Sequence, residues 1–268
     1  MENKTVSRVQ MLVESAVMLA IATVLSMIKL FNLPYGGSVT IASMLPIIII
    51  SYRHGLRWGL LSGLVYGIIQ QLLGLDTLSW VTTWQSIVAV ILLDYIIAFA
   101  VTGFGGVFRK KCSQPMALLL GALLVGLLRY ICHVISGATV WAGLSIPTNA
   151  AMIYSLGYNA TYMIPETIVT MILGYYIGSI LEFRNGRVTQ YTSVKNAGLS
   201  IYKWLAGLFL AGGLIADTTL VFSKLQNAET GDFDITGLSA APWGTIAIIS
   251  VVAVVCAGIL WVIGKKKK

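Results

Sequence analysis

Charge is what this sequence has least of. Only 10% of its 268 residues are Asp, Glu, Lys or Arg, against about 25% in an ordinary soluble domain. Hydrophobic residues make up 57% before the 27 glycines are counted, leaving too little polar surface to cover a water-soluble globule. A soluble enzyme is excluded, and the same apolar content excludes disorder. Cysteine is scarce too. Cys112, Cys132 and Cys256 are scattered and odd in number, so they form neither a metal spacing nor a disulfide framework. Histidine occurs only as His54 and His133. No HExxH, paired metal carboxylates, nucleophile elbow or P-loop is present. The sequence therefore offers no catalytic set, no metal or cofactor site and no means of hydrolysing ATP alone.

What is present is apolar length. A mean hydropathy of +0.85 and repeated apolar stretches predict an all-α polytopic membrane protein. Eight stretches stand out: 11–31, 39–52, 56–74, 83–108, 115–136, 151–182, 199–223 and 241–264. A helix needs about 20 residues to cross the hydrocarbon core. The first stretch is that long, more than a signal-peptide core needs, and reads as a retained transmembrane helix. The second is short and needs tilt or its flanks to span.

The basic residues test this count. With the N-terminus inside, the inner segments hold 15 of the 18 Lys and Arg residues; Lys29, Arg129 and Lys224 are the exceptions. The loop between stretches seven and eight is acidic (Glu229, Asp232, Asp234) and falls outside. This asymmetry predicts a multi-pass protein of the cell membrane with both termini cytoplasmic. It also accounts for the net charge of +8 through the lipid bilayer, without a nucleic-acid partner. Residues 183–198 form a polar, basic linker between a six-helix membrane domain (1–182) and a C-terminal two-helix extension (199–268).

Intramembrane polar groups are expensive and mark function. Here they converge on the outer half of the bilayer. Stretch four carries Asp94-Tyr95, stretch five ends with Arg129-Tyr130 and His133, and stretch six enters with Tyr154, Ser155, Tyr158, Asn159 and Tyr162. Tyr66, Gln70 and Gln71 lie at similar depth, and Trp80, Trp84 and Trp141 stand in the flanking loops. Arg129 and His133 are four apart and share a helix face. One carboxylate, a guanidinium, an imidazole, an amide and aromatic rings suit a small, flat, polar, cationic solute. Structural alternatives stand beside this. Trp80 and Trp84 fit an interfacial belt, Asp94 and Arg129 a structural bridge, and Asn159 a bond between helices. An intramembrane enzyme using Asp94 and His133 lacks a nucleophile or metal, and an assembly protein would bind no small molecule. Ala16 and Ala20 form a small-xxx-small pair that admits a close helix.

The order NLPYGGSVTIASMLP (32–46), RHGLRWGLLSGLVYGIIQ (53–70), Asp94-Tyr95, RYICHVISGATVWAG (129–143) and YSLGYNATYMIPE (154–166) resembles the thiamine-specific S-components of energy-coupling factor (ECF) vitamin transporters. The resemblance covers roughly residues 10–182. It implies a six-helix S-component-like bundle, with the C-terminal pair outside it. It also implies high-affinity thiamine capture at the outer face and delivery by toppling, with a transmembrane coupling subunit and two ATPases as partners. By motif, Trp141 would stack on a thiamine ring, and Tyr154 and Asn159 would hydrogen-bond the pyrimidine. Asp94 would face the thiazolium, and Arg129 and His133 the hydroxyethyl end. Tyr66, Tyr95 and the loop from Tyr35 to Ser38 would complete and close the pocket. Ala16 and Ala20 would contact the coupling subunit. Two positions depart from the family pattern: Asp94 replaces a glutamate, and Arg129 stands where lysine is common. Both bear on preference among thiamine, its phosphates and precursors such as hydroxymethylpyrimidine, since a planar guanidinium is not equivalent to an ammonium.

Overall fold

The computed structural model describes residues 7–33, 36–81, 83–140, 151–184, 188–190, 201–225 and 235–266. It divides into two compact units, Met1–Tyr191 and Thr192–Lys268.

In the first unit, α1 (Arg8–Met27) begins where the Ser7 hydroxyl accepts the Gln10 N–H at 3.1 Å. Its inward face is small and polar. Trp58 Nε1–H donates to Ser15 Oγ at 2.7 Å, Tyr66 Oη–H to Ala22 O at 3.1 Å and Gln70 Nε2–H to Ser26 Oγ at 2.9 Å. These three bonds join α1 to α3 (Leu56–Leu73) along its length, each worth about 0.6–2 kcal/mol inside a membrane. The outward face, with Leu12, Val13, Val17 and Val24 exposed, is what hydrocarbon would cover.

An antiparallel hairpin follows, β1 (Lys29–Asn32) and β2 (Ser38–Thr40), with Asn32 opposite Ser38. This corrects two sequence expectations. The first span ends at Met27, not near 31, and the second, expected from 39, becomes helical only at Leu45. Gly36 stands at φ +98°, a conformation glycine adopts without steric cost, and the β-branched Val39 and Thr40 favour extended backbone. Helix α2 (Leu45–His54) has ten residues, about 15 Å at 1.5 Å per residue, or half a hydrocarbon core. Leu45 through Arg53 are all buried, because α2 is encircled by its neighbours. Gly55 at φ +96° ends it, and α3 starts at the next residue.

The rod α4 (Trp84–Lys110) is capped by Thr83 and widens into a π turn over Ile91–Ile97 before tightening to a 3-10 stretch, Val101–Lys110. Helix α3 lies directly on it. A Cβ at Gly63 would stand 2.6 Å from Phe99 O, and one at Gly67 2.8 Å from Tyr95 O, so only glycine permits this approach. Helices α5 (Gln114–Thr139) and α6 (Ala151–Ile180) pack against each other over most of their lengths. Gln114 closes the far end: its Nε2–H donates to Gly178 O at 2.8 Å and to Leu181 O, and its Oε1 accepts Phe183 N–H at 2.9 Å. A short hairpin, β3 (Leu181–Glu182) with β4 (Thr189–Gln190), follows.

One end of this unit is basic and tightly knit. Arg53 Nε and NH2 grip Glu14 at 2.6 and 2.8 Å, and its NH1 donates to Phe183 O at 2.9 Å. The β1–β2 hairpin marks the opposite end.

In the second unit, α7 (Ile201–Phe222) pairs with α8 (Trp243–Lys266). Ser250 Oγ–H donates to Asp217 Oδ2 at 2.6 Å. Helix α8 exposes Ile248, Val251, Val252, Val254, Val255 and Ile259 on several sides, as a helix in hydrocarbon does. Among the described residues, α1, α4, α5, α6 and α8 are long and apolar enough to cross a membrane.

Candidate functional site

The site is assembled near the hairpin end from α4, α5, α6 and the β1–β2 hairpin. The π turn of α4 carries Asp94 and Tyr95, and such local widenings often occur at functional positions. Asp94 faces α5. His133 Nδ1 lies 3.0 Å from its Oδ1, and Ser136 Oγ–H donates to Oδ2 at 2.6 Å. One turn earlier on α5, Arg129 NH2 approaches His133 Nε2 at 3.5 Å. A guanidinium only donates, so Nε2 accepts and Nδ1–H points to Asp94. The three charged or polar heads therefore form one chain: Arg129, His133, Asp94. The bridge expected between Asp94 and Arg129 runs through His133.

Arg129 is buried, and among the described residues no carboxylate forms an ion pair with it. NH1 donates to Met44 Sδ at 2.7 Å, and Cζ sits 4.3 Å from the centre of the Phe99 ring, a cation–π contact. Its Nε has no partner among the described residues. Phe99 also meets Tyr66 edge-on at 5.2 Å and Tyr95 at 6.5 Å. Tyr66 thus belongs to the aromatic wall behind Arg129, with its hydroxyl committed to α1. Tyr95 Oη bonds Thr77 Oγ1 at 2.9 Å, anchoring the segment before α4.

Helix α6 contributes the amide. Asn159 Nδ2–H donates to Ser155 O at 2.8 Å and to His133 O at 3.3 Å, and its Oδ1 accepts Tyr162 Oη–H at 2.7 Å. Asn159 therefore bonds between helices, beside His133. The Tyr162 ring flanks His133 at 6.1 Å and Tyr158 at 5.8 Å. Tyr154 packs with Tyr95 on the Val81, Val90 and Ala151 cluster, at the rim. Ser38 is part of β2, next to the tie described below. Tyr35 and Trp141 lie outside the described residues.

Several residues that matter here were not among the sequence candidates. Glu166 is buried on α6 and accepts two bonds from one residue of the hairpin: Thr40 N–H at 2.5 Å to Oε2 and Thr40 Oγ1–H at 2.6 Å to Oε1. Gly37 N–H adds a bond to Tyr158 Oη at 3.1 Å. The signal for Glu166 was available, since it is a carboxylate within an apolar stretch. For Ser136, Met44 and Phe99 nothing in the spacing pointed to the site. Among the described residues no three His, Cys, Asp or Glu side chains converge as metal ligands. Ala16 and Ala20 lie on the exposed face of α1.

These features define a polytopic helical membrane protein whose helices enclose a polar, aromatic-walled site. Residues 12–182 match the family described as Thiamine transporter protein (Thia_YuaJ), and the chain belongs to that family. It is 37% identical over 174 residues to the thiamine transporter ThiT of Bacillus subtilis (strain 168), covering 60% of this chain and 86% of that protein. A solved structure of ThiT from Listeria monocytogenes aligns with a TM-score of 0.54 at 23% identity, over 64% of this chain and 94% of that one, which shows the fold. The family is one of transporters, and this chain is not an enzyme.

Proposed function

We propose that this chain is the thiamine-binding membrane subunit of an ECF-type importer. It captures the vitamin at the outer face of the cell membrane and delivers it by toppling within a complex of a coupling subunit and two ATPases. The Asp94–His133–Arg129 chain, set in an aromatic enclosure inside a domain of the thiamine transporter family, carries this reading. Thiamine is flat and carries a permanent positive charge on its thiazolium. A fixed carboxylate inside a low-dielectric wall attracts such a cation far more than one in water. His133 and Ser136 hold Asp94 in one position, which favours binding by reducing the ordering cost. Arg129 and His133 face the hydroxyethyl end, Tyr154 and Asn159 the pyrimidine, and Trp141 stacks on a ring. Tyr66 and Tyr95 back the wall, and the segment from Tyr35 to Ser38 closes over it. Ala16 and Ala20 meet the coupling subunit. Both termini face the cytoplasm, as the 15 basic residues on the inner segments support.

The test is titration of the purified protein with thiamine, followed by quenching of its tryptophan emission, with hydroxymethylpyrimidine and thiamine phosphates as competitors. Saturable quenching that thiamine produces more tightly than its precursor or phosphates supports the reading. Tighter binding of a competitor reassigns the solute, and no binding by fluorescence or calorimetry overturns it.

A further inference from the structure

The basic end of the first unit contains an open cavity of about 500 Å³, lined by Arg109, Lys110, Lys111, Cys112, Ser113 and Arg184. Four of the six lining residues are cations, and none is an acid. The thiamine reading uses none of them. The end of α4 supplies Arg109 and Lys110, the loop to α5 supplies Lys111, Cys112 and Ser113, and Arg184, after β3, is the sixth. Arg184 is fixed from behind. Its Nε–H donates to Tyr52 Oη at 2.7 Å, and its NH2 donates to Arg109 O and Cys112 O, each at 3.2 Å. That clamp bends the loop around the guanidinium and holds its cations together. Among the described residues, no carboxylate forms an ion pair with Arg109, Lys110 or Lys111. Ser113 precedes α5 but makes no capping bond with its side chain, leaving its hydroxyl to the cavity. The Glu182 carboxylate nearby accepts the Arg184 backbone N–H at 2.8 Å; holding Arg109, Lys110 and Lys111 together is unfavourable, and a bound anion offsets it.

We propose that this cavity binds a phosphate ester anion, and that the occupant is the headgroup of an anionic phospholipid. The position favours lipid. The cavity lies where α4 ends and α5 begins, two helices long and apolar enough to span the bilayer, so it stands at headgroup level. Lys110 and Lys111 are exposed there, and basic pockets beside membrane helices on the cytoplasmic side attract anionic headgroups. That this end is cytoplasmic rests on the orientation given under Proposed function. The binding itself does not depend on thiamine.

The experiment uses the full chain in detergent, with native mass spectrometry to count retained dioleoylphosphatidylglycerol against dioleoylphosphatidylcholine. Lys110→Gln with Lys111→Gln is the test variant. Arg8→Gln with Arg57→Gln removes the same charge from exposed positions outside the cavity and is the control. A site-bound headgroup loses two charge-assisted contacts in the test pair, which should cut phosphatidylglycerol retention by about tenfold or more, while the control stays within a few-fold. Thiamine titration of both variants reports folding and tests the other site independently. Equal loss in both pairs means diffuse surface charge and overturns the proposal, as does unchanged binding in the test pair. Displacement of the lipid by millimolar inorganic phosphate keeps the anion site but assigns it to a soluble phosphate, which overturns the lipid assignment.

Discussion

His133 Nδ1 stands 3.0 Å from Asp94 Oδ1, across the contact between α5 and α4. The two side chains are mostly buried, at 11% and 16% exposure, and each is a main polar partner of the other, beside Ser136 on Asp94 and Arg129 on His133. Removing one leaves the other desolvated and incompletely bonded, which costs about 1–3 kcal/mol.

Asp94→Asn should weaken thiamine binding by about 1–3 kcal/mol, the scale of a charge-assisted contact, with the protein still folded. Ser136→Ala should lose less, because it removes a support and not the charge. Trp141→Ala should do at least as much damage as Asp94→Asn. Calorimetric titration of the three variants checks the order. Parent-like binding by Asp94→Asn and Trp141→Ala together would place the pocket elsewhere.

The Glu166–Thr40 pair ties α6 to the hairpin through two short bonds to one carboxylate. Thr40→Val leaves the backbone bond and removes the hydroxyl bond, so it should cost about 1.5–3 kcal/mol. Glu166→Ala removes both and should cost more. Thermal unfolding in detergent gives the ranking. Stopped-flow release of thiamine should also quicken, more in Glu166→Ala, where the hairpin keeps the Gly37–Tyr158 bond to α6 but loses both bonds of Thr40, than in Thr40→Val. Unchanged release would mean that the hairpin does not cover the site.

At Gly63, any side chain meets Phe99 O at 2.6 Å and Thr102 Oγ1 at 2.8 Å. Gly63→Ala should therefore destabilise the fold despite alanine's better helix propensity, by about 1–3 kcal/mol of overpacking strain. A Tm equal to or above that of the parent would show that α3 can shift off α4 freely.

Ala16→Leu with Ala20→Leu should leave stability and thiamine binding near the parent values, because both positions are on the exposed face of α1. Uptake of labelled thiamine in cells carrying the coupling subunit and ATPases should be abolished. Normal uptake would remove these alanines from the partner interface, and joint loss of binding and uptake would indicate misfolding.

Much of the helical frame is legible in the sequence. Six of the eight helices lie within three residues of the expected stretches at both ends, from α3 (expected 56–74, observed Leu56–Leu73) to α8 (expected 241–264, observed Trp243–Lys266). The misses are local to 28–44. There a hydropathy window averages over a strand, a turn and a short helix, and sees one apolar run. Asp94, Arg129, His133 and Asn159 stand out in the sequence as polar groups within apolar stretches, and the structure brings them together. Tyr66 stands in the aromatic wall beside Phe99, and its hydroxyl donates to Ala22 O on α1, a pairing that the sequence does not show.

The sequence by itself determined the class of environment, the helical frame and the inventory of polar groups inside it, because transfer free energy sums along the chain and needs no partner. It also carried the motif order that resembles the family. Tertiary structure alone decided who meets whom. Asp94 reaches Arg129 only through His133, and Glu166 takes its bonds from Thr40, 126 residues away. Those pairings depend on how far each helix is rotated about its axis and how it is shifted against its neighbours. Rotation and shift are set by glycine-width contacts such as Gly63 on Phe99 and Gly67 on Tyr95, whose steric effect exists only once two distant segments touch.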